Sequence, residues 1–346
     1  MKTFNKNFAS DNNSGVHPDI FKVLESVNIG YEQAYGDDPY TQKANNTFKK
    51  FFGEHTETYF VYNGTGANVL ALKCLTDSFN SVLCSDESHI YQDECNAVEN
   101  ILGIRLNIIK TDDAKLTVKN IEPYLHHFGV EHRSQPKVIS ITQSTEYGTL
   151  YSLEELSELV KLKEKYNLYI HMDGARIANA VVALNTDFET ITKGVDILSF
   201  GGTKNGLMHG EALVFFNKEL AKNFKYYRKQ TTQLSSKMRY TSAQFEYLLS
   251  SGLWKTNATN ANNMAKYLEK NLLKLNEETK KIEITQKREV NSVFAIINDK
   301  KAIKKIQNEV FFYDWNESRN EVRLMTCYDT TKEDVDHLIN VMRKYL

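Results

Sequence analysis

Three side chains in this sequence have the types and the order needed for amino-group chemistry. Asp173 and Arg176 stand in Asp173-Gly174-Ala175-Arg176, directly after the apolar run Leu168-Tyr169-Ile170-His171-Met172. Lys204 follows a later run, in Ser199-Phe200-Gly201-Gly202-Thr203-Lys204. A lysine amine forms a Schiff base with a carbonyl when it is neutral, and apolar strands and backbone dipoles beside it favour that form. An acid at a strand end can pair with a pyridinium nitrogen and keep it protonated, so that the ring draws electrons from bonds at a substrate Cα. An arginine beside it offers a two-pronged contact to a carboxylate. Together these residues predict pyridoxal phosphate as cofactor.

Other segments supply what that cofactor would need. Asn63-Gly64-Thr65-Gly66-Ala67-Asn68 lies between the aromatic run Tyr59-Phe60-Val61-Tyr62 and a buried helical stretch at 69–75. Gly64 and Gly66 let the backbone approach an anion, Thr65 adds a hydroxyl, and the N–H groups of a helix start attract phosphate. The loop has neither the full GxGxxG of a dinucleotide site nor the GKS/GKT of a P-loop. His89 follows the run Val82-Leu83-Cys84, and its flat ring could stack on a pyridine face. His171 is two residues before Asp173, so on a strand both point to the same side. Arg323 stands inside Val322-Arg323-Leu324-Met325-Thr326, and a buried arginine needs an anion: a substrate carboxylate or a structural acid. Tyr35 opens the turn Tyr35-Gly36-Asp37-Asp38-Pro39 before a long helix.

Strands alternate with helices from residue 59 to 216, which predicts a mainly parallel sheet covered on both faces. Ser152 and Glu155 form a capping box for a helix whose apolar positions are Leu153, Leu156, Leu159, Val160 and Leu162. The last third reads as a helix at 262–275, strands at 293–297 and 322–325, and a helix at 332–345. That order predicts a small α+β domain over 251–346, after a large domain over 1–250.

The chain has 346 residues, 41% of them hydrophobic, enough for two domains. A net charge of -1 gives no electrostatic footprint for nucleic acid. No run of about 18 apolar residues predicts a membrane span. Residues 1–7 carry no apolar core of signal-peptide length. The four cysteines, Cys74, Cys84, Cys95 and Cys327, form no CxxC pair. Free thiols in a reducing cytoplasm are expected, and no metal site.

The quoted motifs resemble those of the low-specificity L-threonine aldolases, in the β-eliminating lyase group of fold-type I pyridoxal phosphate enzymes. The resemblance runs over nearly the whole chain. Its most specific parts are Asp173-Gly174-Ala175-Arg176, similar to a DGAR core, and Thr203-Lys204, similar to the Schiff-base site. Residues 63–68 resemble an SGTxAN phosphate loop, and His89 with Glu94 resembles a stacking histidine and its acid. Phe8-Ala9-Ser10-Asp11 resembles the opening segment whose serine helps bind the substrate carboxylate. Tyr35 to Pro39 resembles a shortened GDDxYGxDP stretch, which implies a substrate-binding role for Tyr35. Arg323-Leu324-Met325-Thr326 resembles the RLVT strand whose arginine grips the carboxylate. One departure is clear: many members carry a second active-site histidine in the segment matching Gln143-Ser144-Thr145-Glu146-Tyr147-Gly148, and here there is none.

The resemblance implies cleavage of the Cα–Cβ bond of threonine, allo-threonine or a related β-hydroxy-α-amino acid, giving glycine and an aldehyde. It implies Ser10, Arg176 and Arg323 on the substrate carboxylate and makes His89 the leading candidate base, with Glu94 or Glu146 as alternatives. β-Elimination or racemisation on the same scaffold is the competing expectation, and a non-catalytic binding protein is disfavoured by Lys204, Asp173 and Arg176. The resemblance also implies a homo-oligomer, a dimer or a tetramer of paired dimers. Its active sites would lie at the subunit interface, with Tyr35 and the stretch Ser236-Lys237-Met238-Arg239 reaching into a neighbour's site.

Overall fold

The apolar runs of the first two thirds become the strands of one sheet. They are β1 Glu57–Val61, β2 Asn80–Ser85, β3 Arg105–Ile109, β4 Gln135–Thr142, β5 Tyr169–Gly174, β6 Ile197–Gly201 and β7 Glu211–Phe215. This is seen in a computed structural model that describes residues 6–346, apart from the side chain of His127. Residues 1–5, part of the stretch read against a signal peptide, lie outside the described residues. The sheet order is β1-β7-β6-β5-β4-β2-β3. The pairs β2/β3, β2/β4, β4/β5 and β5/β6 are parallel, whereas β7 runs antiparallel to β6 and to β1.

Both faces of this sheet are covered, and side chains alternate between two cores as the pleat requires. Leu198 and Phe200 of β6, with Ala212 and Val214 of β7, enter the first core; Ile197, Leu213 and Phe215 enter the second. The first core is built on aromatic rings. Phe48 meets Phe60 and Phe200 edge-on, at centroid distances of 5.7 and 5.4 Å. The helix Gly64–Leu75 fills the second core with Val69, Leu70, Leu72 and Leu75. The capping box of Ser152 and Glu155 forms as expected, at the start of the helix Leu153–Tyr166.

A second sheet, in the order β10-β11-β9-β8, consists of β8 Ile282–Ile284, β9 Ser292–Ile297, β10 Tyr313–Asn316 and β11 Glu321–Met325. All its pairs are antiparallel. One face packs on the helix Lys332–Tyr345 and on the far half of a long helix, Leu253–Thr279. That helix is longer than the expected 262–275. Its first turns are rich in asparagine, a weak helix former that hides the apolar spacing. Two of these asparagines are buried and bonded: Asn257 donates to the Asn205 carbonyl at 2.8 Å, and Asn262 exchanges hydrogen bonds of 3.0 Å with Asn179.

The helix begins directly after Gly252, which adopts φ 75°. Leu253, Trp254 and Ala258 belong to the first core, while Ala265, Leu268, Leu272 and Leu275 belong to the small one. The two cores therefore change over within this helix. Phe8 also enters the small core, so the N-terminal segment crosses between them. Among the described residues no helix is long and apolar enough to cross a membrane.

Candidate active site

Asp173 is the penultimate residue of β5, on the edge where the parallel strands end, which is where open α/β sheets bind ligands. It is 6% exposed. Its Oδ1 accepts the Ala175 N–H at 2.9 Å, and its Oδ2 accepts from Asn68 Nδ2 at 2.9 Å. Burial acts to raise its pKa, but the charges of His89 and Lys204 and these hydrogen bonds outweigh it, so the carboxyl stays below the usual range. His171 does project to the same side of the strand. Its ring is fully buried between Ser140 Oγ at 3.0 Å and Ser199 Oγ at 3.1 Å, and burial lowers its pKa to about 4. It is a neutral prop.

Lys204 sits in the short turn Thr203–Asn205 after β6. The glycines before it allow a tight approach: a Cβ on Gly201 would lie 2.3 Å from the Ala175 carbonyl oxygen. The lysine turn and the Asp173–Arg176 loop are thus pressed together. Lys204 Nζ has no hydrogen bond or ion pair among the described residues. It faces a cavity of about 280 Å³ whose wall includes Asp173, His89, Asn68, Thr65 and Glu211.

His89 begins the helix His89–Gln92. Its Nδ1 lies 2.8 Å from Glu94 Oε1, which also accepts from Asn68 Nδ2 at 2.8 Å. Asn68 therefore bridges Glu94 to Asp173. Burial acts to lower the His89 pKa, but the bond to Glu94 and the charges of Glu146 and Asp173 raise it overall. Since Nδ1 is held by Glu94, Nε2 is the nitrogen left for a ligand.

The expected phosphate loop forms the start of the helix Gly64–Leu75. Gly64 and Thr65 lie in the cavity wall. Gly66 is placed differently. Its N–H donates to the capping Asn63 Oδ1 at 2.8 Å, and a Cβ there would lie 2.4 Å from Gln233. The glycine at 66 makes room for that glutamine, whose Oε1 accepts the Tyr62 N–H at 2.9 Å.

Arg323 and Ser10 line a second, larger cavity of about 660 Å³. Ser10 is buried and caps the turn Asp11–Asn13, its Oγ accepting the Asn12 N–H at 3.2 Å. The Arg323 guanidinium lies 4.8 Å from the Trp315 ring centroid, and its Nη2 donates to the Ala9 carbonyl at 3.4 Å. Its Nε is buried without a hydrogen-bond partner. Burial and the nearby Arg176 push its pKa down, and an anion there would relieve both effects. Asn12 lies in the walls of both cavities and joins them.

Arg176 makes its two-pronged contact inside the chain. Nε and Nη2 donate to Asp11 Oδ2 and Oδ1 at 2.7 and 2.9 Å, because the first turn of the chain is folded against the Asp173–Arg176 loop. Only Nη1 is left without a partner among the described residues. Tyr35 lies outside both cavity walls: it is 47% exposed, at φ 65°, with Lys229 Nζ 5.1 Å over its ring. In the neighbouring stretch Met238 is buried, and Arg239 donates to the Ile29 and Gly30 carbonyls. Asn12, Glu211 and the bridging role of Asn68 were missed in the sequence. Asn68 stands in the quoted glycine loop, but Asn12 and Glu211 carry no local signal.

A model of the family described as "Beta-eliminating lyase" matches residues 7–300. The chain is 38% identical to a low specificity L-threonine aldolase of a Pseudomonas species, covering 98% of this chain and 97% of that one. It is 36% identical to the low specificity L-threonine aldolase of Pseudomonas aeruginosa, covering 99% of each. Among solved structures it is similar to a threonine aldolase from Leishmania major, with a TM-score of 0.91 and 27% identity over 98% of this chain and 99% of that one.

Proposed function

The chain belongs to the beta-eliminating lyase family, and from that premise we propose that it is a pyridoxal phosphate-dependent aldehyde-lyase. It cleaves the Cα–Cβ bond of L-threonine, L-allo-threonine or a related β-hydroxy-α-amino acid, giving glycine and an aldehyde. One observation carries the reading. An unpartnered lysine amine shares a cavity with an ionised buried aspartate, and Asn12 joins that cavity to one where Arg323 lacks an anion.

These residues fit the cofactor. Gly64 and Thr65, at a helix start, are suited to its phosphate, Asp173 to its protonated ring nitrogen, and Lys204 to its aldehyde. When bound, pyridoxal phosphate supplies an electron sink for the pair released at Cα. The protein's own residues do the rest. Arg323, Ser10 and the free Nη1 of Arg176 hold the substrate carboxylate and thereby set the direction of the Cα–Cβ bond. His89 would lie against the cofactor ring and would take the β-hydroxyl proton at Nε2, with Glu94 holding the other side of the imidazole. Glu146 is buried beside both His89 and the arginines, where the family's second histidine is missing.

We further propose a homo-oligomer, with the dimer as the minimum unit and Tyr35 offered to a neighbour's site. Ile29, Tyr31 and Tyr35, exposed within one short segment, support this. A cytoplasmic location belongs to the same reading, and four free cysteines suit it. The test is product analysis after reconstitution with pyridoxal phosphate. Equimolar acetaldehyde and glycine from L-threonine are expected; ammonia and a keto acid would instead establish elimination. Sedimentation of the active enzyme as a monomer would refute the oligomer.

A further inference from the structure

Glu211 opens β7, in register with Gly201 of β6 and Val61 of β1. Its side chain is 8% exposed and lies in the wall of the cavity that Lys204 faces. Oε2 accepts the Gly202 N–H at 2.9 Å, and the Thr203 hydroxyl, which donates to the Gly210 carbonyl at 3.4 Å, acts on the carboxyl from close by. The carboxyl is thus anchored at Gly202, where the lysine turn begins. It forms no ion pair among the described residues, and a buried carboxyl without one tends to hold its proton.

The titratable groups around it are Lys204 on the turn, Asp173 on β5, His89 on its short helix, His209 just before β7, and Tyr62 just after β1. Burial raises the Glu211 pKa to about 7. The Gly202 N–H, the Lys204 charge and Thr203 oppose the rise, and the Asp173 charge adds to it. His209 is pushed down by burial and adds no charge at neutral pH. The cavity therefore holds two carboxyls of opposite character. Asp173 is fixed as an anion, whereas Glu211 exchanges its proton near neutrality. Environments that split the proton affinities of two acids assign them different tasks.

We propose that Glu211 is the proton partner of Lys204, a reading that rests on Lys204 being the Schiff-base lysine. A lysine nitrogen must be neutral to attack a carbonyl carbon, and it must be protonated again once it has been released. When the proton moves, carried by a water in the shared cavity because the two groups make no direct contact, the Nζ–H bond breaks and an O–H bond forms on Glu211. The nitrogen keeps its electron pair. Ammonium and carboxylate become amine and carboxylic acid, with no change in net charge inside the cavity. The amine and an aldehyde then give an imine and one water, and release reverses the sequence. Asp173 is unsuited to this exchange, since Asn68 and Ala175 stabilise its ionised form.

The test uses apo protein mixed with pyridoxal phosphate. Imine formation is followed by absorbance, and the modified residue is located by borohydride reduction and peptide mass. Wild-type protein should be modified at Lys204, with a rate that holds down to about pH 7 and falls below it, because Glu211 must be a carboxylate to accept the proton. Glu211→Gln keeps the volume and an acceptor for the Gly202 N–H. Its rate at pH 7 should fall by about tenfold or more, and the midpoint of its pH profile should move to higher pH. Glu211→Asp, which keeps a titratable carboxyl, should recover part of the loss. Pyridoxamine phosphate has an amine in place of the aldehyde, and it should bind wild type and Glu211→Gln with similar affinity. An unchanged pH profile in Glu211→Gln overturns the proposal. So does loss of pyridoxamine phosphate binding, which would make the carboxyl a mere prop for the turn. Modification of wild type at another lysine would overturn the assignment of Lys204 itself, and this proposal with it.

Discussion

Asp11 and Arg176 form a buried ion pair with two parallel hydrogen bonds, and Asn291 adds a third donor to the same carboxylate at 3.2 Å. The pair joins the turn that carries Ser10 and Asn12 to the loop that follows Asp173. Removing one member leaves the other charged and buried, at a cost of about 3–5 kcal/mol. Asp11→Asn should therefore lower the melting temperature markedly and raise KM. Burial acts to raise the Asp11 pKa, but Arg176 outweighs it and the net shift is downward. Its stabilisation is thus complete above the ordinary value of 3.8 and is lost as the pH falls through the lower folded-state value. Acid unfolding profiles should be less steep in Asp11→Asn than in wild type. Equal steepness would remove Asp11 as a source of acid sensitivity.

Arg323→Ala should raise KM strongly and also lower kcat. A charge-assisted contact in a desolvated site is worth about 2–5 kcal/mol, and losing it also releases the scissile bond from its orientation. Arg323→Lys keeps the charge but loses the planar fork, so it should fall between the two. Steady-state kinetics with L-threonine decide this. A change in kcat alone would argue against a carboxylate contact.

His89→Asn should act mainly on kcat, by about 10² to 10⁴ if the ring serves as base. The pH profile gives a sharper check. The His89 pKa is raised, so the base form is lost already at a pH above the ordinary 6.5. Glu94→Gln removes the bond that opposes burial, and the acid limb of kcat/KM should then move to lower pH. An acid limb that stays in place would mean that another group, Glu146 first, takes the proton.

Lys204→Ala should abolish turnover yet leave pyridoxal phosphate bound noncovalently, since Asp173, Gly64 and Thr65 remain. Spectra and dialysis would show this. Near-normal activity in Lys204→Ala would remove the Schiff-base assignment.

The parts of this site that follow one another along the chain were legible before the fold was known. Strand runs ending in Asp173 and Lys204 placed both at one sheet edge, and the glycine loop marked a helix start. The parts that arise from contacts between distant segments were not. Asp11 neutralises part of Arg176 only because the first turn folds against the loop after β5. Gly66 is covered by Gln233, far along the chain, and Asn12 reaches both cavities from a stretch with no periodic signal. Glu211 carried no local signal in the sequence. Its pairing with Gly201, which sets it under the lysine turn, is a property of sheet register alone.

The long helix Leu253–Thr279 holds the lysine turn and the strand end after Arg323 at once. Asn257 and the Trp254 carbonyl hold Asn205, next to Lys204, and the Ala261 carbonyl accepts from Thr326, shortly after Arg323. The proposed amine site and carboxylate site therefore hang from less than three turns of one rigid rod. The rod works as a ruler for the span between a substrate's nitrogen and its acid group. That span is what separates α-amino acids from their β- and γ-homologues, so on the proposed assignment of Lys204 and Arg323 the scaffold should select by backbone length and leave the side chain free to vary.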